Sequence, residues 1–104
     1  MKRVFLLFVL TLFLSGCEEE SQWYKSKVRP PGTFEPVVTE VDDFPASCDP
    51  RDWGCYIPED LSNATPGRIY IKKRLSPWDY ACVYKHERKH HDGWDHPKGY
   101  RDCG

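Results

Sequence analysis

The pattern of apolar and polar residues separates a short hydrophobic run at the start of the chain from a longer, mostly polar remainder. Residues 4–14 are apolar except for Thr11, and they follow the basic pair Lys2 and Arg3. A run of this length is too short for a stable membrane-spanning helix, which needs about 20 apolar residues. A positive start followed by a short apolar run is typical of a secretory signal. We therefore predict that residues 1–16 are a signal peptide.

Two short segments have the composition and period of β-strands. Residues 37–41 are rich in valine and predict an edge strand. Residues 68–72 alternate polar and apolar positions, which predicts a half-buried strand that extends towards Leu75. Residues 42–67 are rich in Asp, Pro, Gly, Ser and Asn, so we expect loops there rather than regular elements.

A helix is predicted after the second strand, with a signal at each end. Ser76 can cap the first turn, Pro77 suits the first helical position, and Asp79 stands where a capping box closes. Gly93 suits the turn that ends a helix, so the helix should cover about residues 77–92. The predicted fold class is α+β: one main helix, two or three short strands and long loops in a small disulfide-stapled domain.

The apolar run closes with Leu14-Ser15-Gly16-Cys17, which resembles the lipobox of bacterial lipoproteins. The resemblance implies that Cys17 is lipidated, becomes the first mature residue and anchors the protein in a membrane of the cell envelope. The residue after Cys17 is not Asp. In a Gram-negative host, this resembles lipoproteins that are sorted to the periplasmic face of the outer membrane. The alternative is an ordinary signal peptide cut near Gly16, with Cys17 as a spare thiol.

Composition after the lipobox predicts a tether followed by one domain. Residues 17–36 carry charge, few aliphatic residues and Pro30-Pro31-Gly32, so we expect a lipidated cysteine followed by a flexible tether. Residues 37–104 are then one small domain, whose candidate metal ligands are given below. The full sequence has 15 basic and 16 acidic residues, and removal of the signal peptide leaves 13 against 16. A mildly acidic chain without a basic block is not expected to bind nucleic acid.

Four cysteines remain beside the one in the lipobox: Cys48, Cys55, Cys82 and Cys103. An even number in a small exported chain predicts two disulfide bonds, and a core this small needs such crosslinks. Spacing alone leaves all three pairings open. Cys82 has a competing use, because it precedes His86 by one helical turn and could serve as a fourth metal ligand.

The stretch that begins at His86 fits H-E-x-x-H-x-x-G-x-x-H at every fixed position. Residues four apart lie on one helix face, so His86 and His90 can direct two imidazoles at one ion. Gly93 can turn the chain so that His96 supplies a third nitrogen. Glu87 stands beside the ligands, where its carboxylate can take a proton from water. Three nitrogens with an open fourth position predict a catalytic Zn²⁺ site; the alternative is a His-rich surface helix that binds metal incidentally.

This motif resembles the zinc-binding consensus of metzincin metallopeptidases. The resemblance implies that the three histidines are zinc ligands and that Glu87 is the general base and acid. It also implies a strand before the helix that binds the substrate backbone, with residues 68–75 as the candidate. The sequence departs from the family because Met1 is its only methionine, so the methionine turn beneath the metal has no counterpart.

We also make predictions for three residues within or next to the motif. Asp92 or Asp95 is expected to hold a ligand imidazole through its second nitrogen. His91 points off the ligand face and is expected to be a surface residue.

Three classes of function follow from these features. The first is a zinc-dependent peptidase or amidase of the cell envelope that acts on peptides or peptidoglycan peptides. The second is a lipoprotein that binds or buffers zinc without catalysis. The third is a structural or interaction lipoprotein in which the motif is incidental. Glu87 separates the first two, because zinc storage needs no carboxylate beside the first histidine. The sequence does not fix the oligomeric state.

Overall fold

The computed structural model describes residues 22–103. The predicted signal peptide, Cys17 and the first part of the predicted tether lie outside the described residues. The elements follow in the order β1 (Tyr24–Lys25), β2 (Val37–Val41), β3 (Gly54–Ile57), a short 3-10 helix (Leu61–Asn63), β4 (Arg68–Lys72), α1 (Pro77–His91) and β5 (Trp94–Asp95). The predicted α+β class, with one main helix and short strands, is confirmed. No helix within residues 22–103 has the length and apolar character needed to cross a membrane.

A three-stranded sheet in the order β2-β4-β3 packs against α1. β2 pairs parallel to β4, and β3 pairs antiparallel to it. Ile69 and Ile71 of β4 are fully buried and pack with Val83 of α1, and partly buried tyrosines surround them. This confirms the alternation predicted for residues 68–72, although β4 ends at Lys72 and does not extend towards Leu75.

The region between β2 and β4 is more regular than its composition predicts. It contains β3 and the 3-10 helix, where we expected loops throughout. Gly54 and Cys55 begin β3 and are weak signals for a strand. The strand exists because its backbone pairs with β4, and such tertiary pairing is not visible in local composition.

Both ends of α1 follow from local chemistry. The side chain of Ser76 accepts a hydrogen bond of 3.1 Å from the backbone N–H of Asp79, as predicted. The helix ends at His91, one residue earlier than predicted. Gly93 has φ of +92°, and a Cβ there would lie 3.1 Å from the backbone nitrogen of Pro31. Glycine is needed at this position both for the conformation and for the close approach.

The N-terminal segment lies along the domain. β1 pairs antiparallel with β5, and two backbone hydrogen bonds of 2.8 and 2.7 Å join the segment to the end of α1 and the following turn. The guanidinium of Arg29 donates to the carbonyl oxygen of His90 at 2.8 Å. The segment 22–36, assigned above to a flexible tether, is therefore held at the helix end through Ser26, Arg29 and Gly32. The reason is that unpaired carbonyl oxygens at a helix C-terminus attract donors from a polar segment.

Two disulfide bonds join Cys48 to Cys55 and Cys82 to Cys103. The first closes the loop before β3, and the second holds the C-terminal segment on α1. The structure thus selects one of the three possible pairings. Because Cys82 is in a disulfide, it does not serve as a thiolate ligand beside His86.

Candidate metal centre

Three histidine side chains converge where α1 meets β5. His86 and His90 lie one turn apart on α1, and His96 follows β5. One ring nitrogen from each of the three residues lies within 4.8 Å of those of the other two. The Nε2 atoms of His86 and His96 are 3.1 Å apart. Two nitrogens bound to a tetrahedral zinc ion at about 2.0–2.1 Å are about 3.3 Å apart, so this spacing fits a shared ion.

The Nδ1 atom of each histidine faces an oxygen acceptor. The pairs are His86 with Oδ1 of Asp102 at 2.5 Å, His90 with the carbonyl oxygen of Trp94 at 3.0 Å, and His96 with the carbonyl oxygen of Pro97 at 2.9 Å. A carboxylate or carbonyl oxygen only accepts hydrogen bonds, so each Nδ1 is the donor. The neutral ring then keeps its lone pair at Nε2.

This tautomer brings two lone pairs together between His86 and His96. At 3.1 Å their Nε2 atoms repel each other unless a proton or a cation lies between them. Metal ligands of this type use a free ring nitrogen while the other nitrogen donates to an oxygen. Burial, followed by the nearby His86 and His96, lowers the pKa of His90 and favours its neutral form. The donor set therefore fits a divalent ion with three neutral nitrogen ligands.

Glu87 is buried beside the histidines. Its Oε2 atom lies 4.0 Å from Nε2 of His86. Burial, with smaller contributions from Asp52 and Asp102, raises the pKa of Glu87 to about 8. A cation held by the histidines would lower this pKa, because positive charge favours the carboxylate.

A cleft of about 680 Å³ opens in front of this group. Its volume is typical of small-molecule sites, which range over about 300–1,000 Å³. Glu87 and the three histidines line one wall. The other walls come from β3 with the loop before it, and from residues 98–103. The histidines and the carboxylate thus face a space large enough for a substrate.

The strand expected to bind a substrate backbone, residues 68–75, is not available for that role. β4 lies in the middle of the sheet and is paired on both sides. β3 lies at the sheet edge, and Gly54, Cys55 and Tyr56 line the cleft. Within the described residues, the outer edge of β3 has no strand partner.

Two residues of the centre were missed by sequence analysis. Asp102 is the acceptor for His86, and Trp23 places its indole against all three histidine rings. Of the two aspartates considered above, Asp95 has its Oδ1 3.4 Å from Nδ1 of His90. Asp92 instead caps α1.

His91 is buried, although the sequence led us to expect a surface residue. Its relative exposure is 4%, and its Nδ1 lies 3.2 Å from the hydroxyl of Tyr56. A Cβ at Gly32 would overlap the His91 ring, so the N-terminal segment covers this side chain. The expectation was wrong because the segment that buries His91 was assigned to a tether.

Comparison with known proteins gives one match. Residues 1–17 match the family described as the prokaryotic membrane lipoprotein lipid attachment site. The match ends at Cys17, and it supports a lipid-anchored lipoprotein of the cell envelope. No curated protein and no solved structure matches the chain.

Proposed function

We propose that the protein is a zinc-dependent peptidase or amidase anchored in the cell envelope through a lipid on Cys17. His86, His90 and His96 hold the metal, and Glu87 is the general base. The supporting observation is the convergence of three free imidazole nitrogens at a cleft wall, with a buried carboxylate 4.0 Å from Nε2 of His86. Bound zinc supplies a Lewis acid that polarises an amide carbonyl.

Glu87 is the general base and then the general acid in the proposed reaction. Its Oε2 takes a proton from the attacking water and gives it to the leaving nitrogen. The carboxylate is held in place because α1 lies close to β3: a Cβ at Gly54 would be 2.9 Å from Oε2 of Glu87. A fixed base beside the ligands supports catalysis over zinc storage.

The edge of β3 supports an extended peptide as the substrate. A peptide segment can add to an open strand edge through backbone hydrogen bonds. Such a segment would lie along the wall that faces Glu87 and the histidines. The substrate class is then a polypeptide or a peptidoglycan peptide in the envelope, on the periplasmic face of the outer membrane if the host is Gram-negative.

The test compares hydrolysis of a peptide and peptidoglycan-peptide library by the wild type and by Glu87→Gln. The amide cannot accept the proton, so we expect a loss of about 10²–10⁴-fold in rate with zinc content unchanged. Glu40→Gln, at an exposed position of β2, is the matched control and keeps full activity. Wild-type protein that holds zinc but cleaves nothing would favour the non-catalytic zinc lipoprotein. Full activity in Glu87→Gln would show that another group is the base.

A further inference from the structure

We propose that Trp23 is a positioning residue of the metal centre, and that its indole supports the three histidine rings from outside the cleft. This inference rests on the proposed zinc site and extends it to a residue that lies outside the motif.

The indole of Trp23 contacts all three imidazoles. Its ring centroid lies 4.9 Å from that of His86, 5.3 Å from that of His90 and 4.9 Å from that of His96. The imidazole centroids are themselves 4.8 to 5.2 Å apart. The four rings therefore form one compact cluster, in which edge-on packing restrains each imidazole.

Trp23 lies outside the lining of the cleft. All three histidines and Glu87 line the cleft. Nε2 of His86 faces the Glu87 carboxylate at 4.0 Å, so the ligand nitrogen points towards the cleft side. The indole thus contacts the three histidines without taking up space in the cleft that Glu87 lines.

The pairing of β1 with β5 positions both Trp23 and His96. Tyr24 pairs with Asp95, and this register sets the preceding Trp23 opposite the following His96. The ammonium of Lys89 lies 4.9 Å from the centroid of the Trp23 ring, a cation–π contact that ties the indole to α1.

Packing of the imidazoles on the indole should raise the metal affinity without adding a ligand. An unsupported imidazole can rotate about its side-chain bonds, and binding a metal then costs the entropy of ordering it. Three rings packed on one rigid indole are already ordered near the ligating geometry, which favours binding.

The test uses the full-length lipoprotein in detergent, with Trp23→Ala, Trp23→Phe and the matched control Trp78→Ala, at a position 86% exposed. Zinc affinity is measured by competition with a chelating dye, and ligand geometry by the absorption spectrum of the Co²⁺ form. We expect Trp23→Ala to lose about tenfold in zinc affinity, with an altered Co²⁺ spectrum, because residues that orient metal ligands typically contribute about 10–100-fold to affinity. Trp23→Phe should recover most of both, and Trp78→Ala should match the wild type.

Two results would overturn the inference. One is equal zinc affinity and an identical Co²⁺ spectrum in Trp23→Ala and Trp78→Ala. The other is tighter binding in Trp23→Ala, which would mean that the indole obstructs the site. If Trp23→Ala does not fold by circular dichroism, Trp23→Leu takes its place, because leucine keeps apolar volume without a flat ring. The same loss of zinc affinity and change of Co²⁺ spectrum are expected of it, and zinc affinity and a Co²⁺ spectrum equal to those of Trp78→Ala refute the proposal. A wild type that binds no zinc would instead refute the proposed function.

Discussion

At the scale of single residues, the oxygen opposite each Nδ1 determines whether the histidines can act as ligands. Two of these acceptors are backbone carbonyls close to the motif, at Trp94 and Pro97. The third is a carboxylate, Asp102, whose Oδ1 lies 2.5 Å from Nδ1 of His86. A carboxylate in this place orients the ring and makes its Nε2 a stronger ligand.

The first prediction concerns Asp102. Its replacement by Ala removes the acceptor, so His86 can take the other tautomer or rotate, and zinc affinity should fall by about 10–100-fold. Competition with a chelating dye measures this change. Asp43→Ala, at an exposed loop position, is the control and should bind as the wild type does. Equal affinity in the Asp102 and Asp43 variants would contradict a role for the carboxylate.

The sequence predicted the close approach of the three histidines but not the residues that support them. His86 and His90 come together through helical periodicity, and Gly93 returns the chain to His96. Asp102 is 16 residues from His86, and its position depends on the Cys82–Cys103 disulfide. Trp23 has no local signal either, because its position depends on the pairing of β1 with β5.

At the scale of elements, the approach of α1 to β3 sets the position of the Glu87 carboxylate. A Cβ at Gly54 would lie 2.4 Å from Cγ1 of Val83 and 2.9 Å from Oε2 of Glu87. Only glycine allows β3 and α1 to come this close. The same contact connects the core to the wall of the cleft.

The second prediction is that Gly54→Ala pushes α1 away from β3. Overpacking of this kind should lower the free energy of unfolding by about 1–3 kcal/mol and should reduce hydrolysis by moving Glu87. Urea unfolding measures the first effect. The matched variant Gly54→Ala with Val83→Ala removes the nearer clash, so its loss should be smaller than the sum of the two single losses. Strict additivity would mean that the two side chains do not meet.

Local chemistry made the helix predictable, whereas the strands were predictable only in part. Ser76 and Gly93 mark the ends of α1 within the sequence itself. β4 has an alternating pattern because only one of its faces is fully buried. β3 has no such pattern, since all four of its residues are partly buried and its stability comes from the pairing with β4.

At the scale of the whole molecule, the histidine cluster of the candidate metal centre lies close to the lipid attachment site along the chain, through Trp23. Cys17 ends the matched lipoprotein segment, and Trp23 packs on the histidines only six residues later. Six residues span at most about 20–22 Å. A domain attached to the membrane through Cys17 is therefore held with its three clustered histidines near the lipid surface.

The third prediction tests this distance. Ten Gly and Ser residues inserted between Glu20 and Ser21 add about 16–19 Å of root-mean-square length. Energy transfer from the tryptophans to dansyl-labelled lipid headgroups should fall clearly in the insertion variant reconstituted in vesicles. Cys17→Ala, which lacks the anchor, gives the background. Equal transfer with and without the insertion would show that the short connection does not set the distance.

The metal centre is tested by the zinc content of the purified full-length protein, compared with the zinc contents of His90→Ala and Glu87→Gln. We predict close to one zinc per chain in the wild type and in Glu87→Gln, because Glu87 is not a ligand. We predict little or no zinc in His90→Ala, with circular dichroism used to show that this variant is folded. Equal zinc in the wild type and in folded His90→Ala, or no zinc in the wild type, would contradict the proposed metal centre.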